Sequence, residues 1–111
     1  MKEKGGWAMS AIHARGELPY RCTCGYSELL RMTDFSFQQT KPIPKGPDQG
    51  TEVCHMGAVT AKCANCGQEC LVEIDLWEYP VGAIDAIAAY CSGCQLLMAK
   101  ETLRRFIVLK A

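Results

Sequence analysis

The chain lacks several features that would place it in a common functional class. It contains no run of about 18 apolar residues, so we expect no membrane-spanning helix. Its 12 basic and 12 acidic residues cancel, so it lacks the overall positive charge on which binding to nucleic-acid phosphates mainly depends. No apolar stretch of about 7–15 residues follows the mixed charges of segment 1–7, so we expect no secretory signal and a cytoplasmic location.

Signatures of catalysis are missing as well. The sequence shows no nucleophile motif, no phosphate-binding loop and no paired His–Glu arrangement. A Cys-x-x-Cys redox motif would be expected within a βαβ pattern, which is also absent. We therefore expect that the chain is not an enzyme, although it could be a non-catalytic subunit of an enzyme complex.

What the chain does have is cysteine. Its 111 residues include 8 cysteines, and most of them fall into the pairs Cys22-Thr-Cys24, Cys63-Ala-Asn-Cys66 and Cys91-Ser-Gly-Cys94. In a reducing compartment such thiols are expected on a metal ion rather than in disulfides. Two pairs suffice for a tetrahedral shell of four thiolates, so the sequence predicts one zinc ion and has enough cysteines for two.

The cysteines can be divided between sites in more than one way. In the side-by-side division, which we favour, the first site comprises Cys63, Cys66, Cys91 and Cys94. The second site then comprises Cys22, Cys24, Cys54 and Cys70, with His55 as a substitute ligand for Cys70. In a nested division the outer site comprises Cys22, Cys24, Cys91 and Cys94, and the inner site Cys54, Cys63, Cys66 and Cys70. A single site with spare cysteines is the third alternative.

Two glycines directly follow cysteines, at Gly25 after Cys24 and at Gly67 after Cys66. A turn that points amide N–H groups at a thiolate often needs a positive φ, which glycine adopts freely. Both Cys-Gly steps are followed by an apolar pair that begins four residues after the glycine. This internal similarity is typical either of a duplicated unit or of the same kind of turn that formed independently at two places in the chain.

Short strands dominate the expected secondary structure. Apolar and acidic residues alternate over 69–77, which predicts a half-buried strand, and 84–90 is expected to return beside it. The segment 26–37 is predicted as a strand with a bend near its end. Three prolines in 41–50 exclude helix and ladder pairing there. The segment 95–109 fits a helix or strands, and we favour strands.

The residues Cys63-Ala-Asn-Cys66-Gly67 and Cys91-Ser-Gly-Cys94 resemble the zinc-ribbon group, which shares its knuckle geometry with rubredoxin. The resemblance covers about residues 58–98. It departs at Gln95, where that group usually has a second glycine. It implies a structural zinc ion bound by the four cysteines, in a small β-rich domain of the zinc-ribbon type.

The expected organisation is an N-terminal arm, 1–18, followed by a zinc-binding domain, 19–111. That domain divides into two ribbon-like halves, 19–57 and 58–111, joined through the proline-rich loop 41–50. Balanced charge favours a protein partner over nucleic acid, and hence an accessory subunit of a larger assembly.

A second resemblance supports this class of function. Cys22-Thr-Cys24-Gly25, together with Cys91-Ser-Gly-Cys94 and the following Leu96-Leu97, is similar to the small zinc-binding subunits of acetone-carboxylase-type enzymes. The first alternative is a nucleic-acid-binding ribbon that uses the basic C-terminal residues Lys100, Arg104, Arg105 and Lys110. The remaining alternatives are a rubredoxin-like iron electron carrier and a thiol redox switch.

Overall fold

The computed structural model describes residues 11–110 of the chain. Strands account for most of the regular structure in this range, which confirms the expectation of a small, mainly β protein. The strands are β1 (Ala11–Ala14), β2 (Glu17–Cys22), β3 (Ser27–Arg31), β4 (Gln38–Gln39), β5 (Ile43–Pro44), β6 (Thr51–Lys62), β7 (Glu69–Glu78), β8 (Ile84–Ser92), β9 (Cys94–Leu96) and β10 (Ile107–Lys110). The helical segments are a 3-10 turn at Met32–Asp34 and helix α1 at Lys100–Arg104.

The strands form three antiparallel sheets. The largest has the order β4-β6-β7-β8, with β5 also paired to β6. A second sheet has the order β3-β2-β9, and β1 pairs with β10 in a two-stranded ribbon. Because β8 and β9 are separated only by Gly93, the chain passes there directly from the largest sheet to the second one.

Strand β7 shows how the sequence pattern sets the core. Its alternate residues Cys70, Val72, Ile74 and Leu76 are fully buried, as the alternation over 69–77 predicted. They share one core with residues of the second sheet, among them the fully buried Leu18. Strand β8 confirms the predicted return beside β7. The two larger sheets therefore close on each other through apolar side chains.

Two other segments differ in part from expectation. In 26–37 the predicted bend is the 3-10 turn at Met32–Asp34, but the strand ends before it, at Arg31. In 95–109, where we favoured strands, the strands β9 and β10 are separated by helix α1. The helical conformation buries the side chain of Leu103 in the core and leaves the polar residues around it exposed, which is the reason for the helix.

The proline-rich segment 41–50 was expected to form no ladder pairs, and this is wrong at one point. Ile43 and Pro44 form the short strand β5, which pairs with the start of β6. Pairing stops after two residues, as expected where proline cannot donate a backbone hydrogen bond. Strand β6 itself runs without a break across the expected division between residues 57 and 58.

The expected N-terminal arm, 1–18, includes β1 and the start of β2, both of which are paired in sheets. The first ten residues of that arm lie outside the described part of the chain.

Candidate metal centre

The first cysteine turn follows the end of β2. The N–H of Cys22 donates to the carbonyl of Tyr26 at 2.8 Å, and the N–H of Gly25 donates to the carbonyl of Cys22 at 2.8 Å. Gly25 has a φ of 97°, the left-handed conformation expected from the sequence. The turn brings Cys22 and Cys24 close to each other at one end of the second sheet.

The second cysteine turn follows the end of β6 and repeats this pattern. The N–H of Cys63 donates to the carbonyl of Gln68 at 2.8 Å, and the N–H of Gly67 donates to the carbonyl of Cys63 at 2.9 Å. Gly67 has a φ of 79°, so the expectation of a positive φ after each Cys-Gly step is confirmed. The internal similarity in the sequence therefore corresponds to two similar turns, one from each of the two larger sheets, of which the second is one residue longer.

The two turns face each other and bring four sulfurs together. The sulfurs of Cys22, Cys24, Cys63 and Cys66 all lie within 4.8 Å of one another. The Sγ atoms of Cys22 and Cys66 are 3.6 Å apart, and those of Cys24 and Cys63 are 3.7 Å apart. A tetrahedron with zinc–sulfur bonds of about 2.3 Å has edges of about 3.8 Å. The four cysteines thus have the donor atoms and spacing that one tetrahedral metal ion requires.

Neighbouring side chains hold the two turns in place. The amide nitrogen of Asn65 donates to the Sγ of Cys24 at 3.5 Å, which places a hydrogen-bond donor against this sulfur. The N–H of Ala64 donates to the carboxylate of Glu28 on β3 at 3.0 Å. The second turn is therefore attached to the second sheet by polar contacts as well as by the clustered sulfurs.

Gly93 lies between the two turns. Its carbonyl accepts from the N–H of Thr23 at 3.3 Å and from the side-chain amide of Gln68 at 3.4 Å. The hydroxyl of Thr23 donates to the Oε1 of Gln68 at 2.8 Å. One residue from the first turn and one from the second are therefore joined through the corner between β8 and β9.

Contacts within the cluster change the pKa values of its thiols. The backbone N–H of Cys24 lowers the pKa of Cys22 to about 6, and the side chain of Asn65 lowers the pKa of Cys24. The backbone N–H of Gln68 lowers the pKa of Cys66, but contact with Cys22 and burial outweigh it and raise that pKa to about 12. Thiolates, the form that binds metal ions, therefore arise on Cys22 and Cys24 before they arise on Cys66.

The structure groups the predicted ligands in a way that neither sequence-based division contains. It combines the pair Cys22 and Cys24 with the pair Cys63 and Cys66, although Cys66 lies 44 positions beyond Cys22. The third pair lies outside this group, where the chain crosses from β8 to β9. A signal was present in the sequence: a glycine follows each of the two assembled pairs, whereas Gln95 follows Cys94.

Cys70 and the third pair lie beside the group of four. The thiol of Cys70 donates to the carbonyl of Gly93 at 3.4 Å, and the thiol of Cys94 donates to the carbonyl of Leu71 at 3.6 Å. Cys94 is also directly opposite Cys22 in the pairing of β2 with β9. These cysteines are neighbours of the four-sulfur group in the structure rather than members of it.

Cys54 and His55 lie elsewhere, on β6. The ring of His55 is 2% exposed, and its Nε2 is 2.7 Å from the Oε1 of Glu78. The other carboxylate oxygen of Glu78 accepts the N–H of Gly82 at 2.6 Å. The expectation that the chain has no paired His–Glu arrangement is therefore wrong. The pair was hidden from sequence reasoning because its members lie on different strands, β6 and β7.

The four basic C-terminal residues lie in different places. The guanidinium of Arg104 donates to the backbone carbonyls of Ile84 and Asp85, at 3.1 and 3.2 Å, and so fastens α1 to the start of β8. Arg105 and Lys110 instead line a groove of about 340 Å³ along the two-stranded ribbon. Lys100 is exposed on α1.

Comparison with known proteins gives no relative: no family model, no curated protein and no solved structure matches this chain. Within residues 11–110, no helix has both the length and the apolar character needed to cross a membrane.

Proposed function

We propose that the protein is a structural zinc-binding protein that acts as an accessory, protein-binding subunit of a larger assembly. The observation that supports this proposal is the group of four cysteine sulfurs contributed by two similar turns. Four thiolates fill the coordination shell of a tetrahedral zinc ion. Such a site leaves no position for the water on which a catalytic zinc acts, so the proposed role is structural.

The position of the site indicates what the ion would do for the fold. Cys22 ends a strand of the second sheet, whereas Cys63 follows the end of β6 in the largest sheet. An ion bound to both would join the two sheets at one end of their shared core. In a small domain, whose core is thin, such a bond contributes folding free energy directly.

A protein partner is supported by the outer face of the largest sheet. Met56, Leu71 and Tyr90 project from β6, β7 and β8 and are 40%, 38% and 53% exposed. In the strand pairing, Glu73 is opposite Tyr90, so an acidic side chain lies among these apolar ones. A surface that combines exposed apolar side chains with acidic ones suits a protein with complementary chemistry and repels phosphate backbones.

Metal analysis tests the structural role. We expect stoichiometric zinc in the purified protein, loss of that zinc in Cys63→Ser, and retention in the matched variant Cys54→Ser. A strong chelator should also lower the melting temperature, because the ion binds the folded state. Iron in place of zinc would instead favour the rubredoxin-like alternative, and a metal-free protein with unchanged stability would refute the proposal.

The binding role needs its own experiment, on the native protein and whatever co-purifies with it. We expect a partner at fixed stoichiometry that is lost in Leu71→Asp and Tyr90→Asp. Both variants should keep their zinc and their circular dichroism, because the two side chains are exposed. The matched control Val81→Asp alters an exposed apolar residue in the turn after β7 and should leave the complex intact. Partner binding that is unchanged in all three variants would place the interface elsewhere.

A second function, nucleic-acid binding, is favoured by one observation. The groove lined by Arg105 and Lys110 is also lined by His13 and Arg15 of the neighbouring strand region, so three basic side chains and a histidine border it. Binding through such a groove should weaken steeply with salt and should be reduced in Arg105→Gln. No binding to single- or double-stranded nucleic acid at low salt would eliminate this alternative.

A further inference from the structure

Seven of the eight cysteines lie on or beside the two cysteine turns. Four form the group described above, and the other three, here called the second thiol group, are Cys70, Cys91 and Cys94. The thiol of Cys70 interacts electrostatically with those of Cys22 and Cys94, and the thiol of Cys94 interacts with that of Cys91. The second thiol group is therefore next to the first through Cys22, although within residues 11–110 only the first four sulfurs all lie within 4.8 Å of one another.

The backbone also places Cys70 and Cys94 close to each other, independently of the interactions between their thiols. Cys94 is paired directly with Cys22 across β2 and β9. The thiol of Cys70 lies 3.4 Å from the carbonyl oxygen of Gly93, and that of Cys94 lies 3.6 Å from the carbonyl oxygen of Leu71. Each sulfur thus packs on the backbone next to the other cysteine, which leaves little freedom to separate them.

The number of clustered sulfurs indicates how many ions they could bind. Two tetrahedral ions with separate shells need eight ligands, and two ions that share one sulfur need seven. Seven cysteines are gathered here, whereas Cys54 lies apart from them on β6, opposite Trp77. We propose that the seven clustered cysteines bind two thiophilic divalent ions, of which the second is held by Cys70, Cys91 and Cys94 and shares the sulfur of Cys22 with the first.

The sulfur of Cys22 is the one that both ions could share. This residue belongs to the first group, interacts electrostatically with Cys70 and is opposite Cys94. Cys70 and Cys22 are buried and fixed by their strands, whereas Cys91 and Cys94 are half-buried at the corner between β8 and β9. The two half-buried side chains can rotate toward a common point. On binding, the Cys70 and Cys94 thiols would lose their contacts to backbone carbonyls and form sulfur–metal bonds instead. Each thiol would release its proton to solvent.

The experiment is a count of zinc by native mass spectrometry on the full chain purified with zinc. We expect two ions in the wild-type protein, two in Cys54→Ser, and one in the double variant Cys91→Ser/Cys94→Ser. One ion in the wild-type protein would overturn this inference while leaving the proposed structural site intact. No ion in any of the three proteins would overturn both, so the two failures are distinguishable.

A second measurement avoids variants that might not fold. Iodoacetamide applied to the zinc-loaded wild-type protein should spare Cys91 and Cys94 and should modify both once a chelator is added. Their half-buried positions make protection by folding alone an insufficient explanation. Rapid modification of both residues in protein that still holds one zinc would contradict the shared cluster. Cadmium substitution should likewise give two nuclear magnetic resonance signals rather than one.

Discussion

Gly93 packs against the backbone of Glu69 so closely that a β-carbon on Gly93 would lie 2.7 Å from the carbonyl oxygen of Glu69. The same β-carbon would lie 2.7 Å from the side-chain nitrogen of Gln68. Gly93 also has a φ of 80°, which disfavours any L side chain. The corner between β8 and β9 can therefore touch the second cysteine turn only because it carries glycine.

The first prediction concerns Gly93→Ala. The clash with a backbone oxygen and the positive φ together should lower stability by about 2–4 kcal/mol, and zinc should bind more weakly because the turns lose their support. Gly82→Ala is the matched control, since Gly82 has a φ of 98° but nothing within 4 Å of its β-carbon position. Melting curves and zinc competition assays compare the two. Equal effects would show that Gly93 matters only for its own backbone conformation.

Asn65 gives the second prediction. Its amide is a hydrogen-bond donor to the sulfur of Cys24, so Asn65→Ala should weaken zinc binding by about tenfold, the low end of the range for residues that support a ligand. The pKa of Cys24 should rise at the same time, because the donor that lowers it is gone. Competition with a chromophoric chelator measures the affinity. Gln38→Ala, on the exposed strand β4, is the control, and an equal loss there would contradict the assignment.

The third prediction is a pH dependence from Asp75. Burial, followed by contact with Glu73, raises its pKa from 3.8 to about 6, and its Oδ1 is buried without a hydrogen-bond partner. A pKa that is higher in the folded state favours folding below pH 3.8, and this contribution is lost as the pH rises through 6. Asp75→Asn should therefore raise the melting temperature at pH 8 but not at pH 4.

The control for this measurement is Asp85→Asn on the exposed side of β8. Both variants remove one carboxylate, so a general effect of net charge would appear in both. If the melting temperature of Asp75→Asn had the same pH dependence as that of the wild type, the carboxylate of Asp75 would not be the source of this dependence.

Metal removal gives the fourth prediction. After chelation, amide hydrogen exchange should accelerate most in β2 and β9, because β9 contributes only three residues and depends on the adjacent cysteine turns. The hairpin of β6 and β7 should stay protected, since its ladder extends over 10 residue pairs. Restoring zinc serves as the control. Uniform acceleration along the chain would mean that the ion stabilises the whole fold in one cooperative unit.

The sequence was most informative where the physical signal is local. The alternation through β7 depends only on which face of one strand is buried, and it predicted Val72 and Ile74 as core residues. The positive φ at Gly25 and Gly67 was equally local, because it follows from the turn that each cysteine pair requires. Helix α1 was harder to predict, because five residues give too short a pattern to distinguish a helix from a strand.

The combination of the ligand pairs was not predictable from spacing alone. Cys63 and Cys66 are closer in sequence to Cys91 than to Cys24, so spacing favoured a different grouping from the one that the structure shows. The neighbours of these two cysteines in the structure are set by packing of the second sheet against the largest sheet, a long-range feature of the described chain. The pairing of His55 with Glu78 was unpredictable for the same reason, since it requires the register of β6 on β7.

Exposure differs within the group of four cysteines: Cys22 and Cys63 are buried, whereas Cys24 and Cys66 reach the surface. For an ion bound as proposed, an incoming thiol carrier could replace one surface sulfur at a time while the inner two keep hold of the ion. Loading and unloading would then proceed through mixed complexes on the intact fold, at rates set by the carrier's concentration. Exchange of the metal would not require slow global opening of the chain.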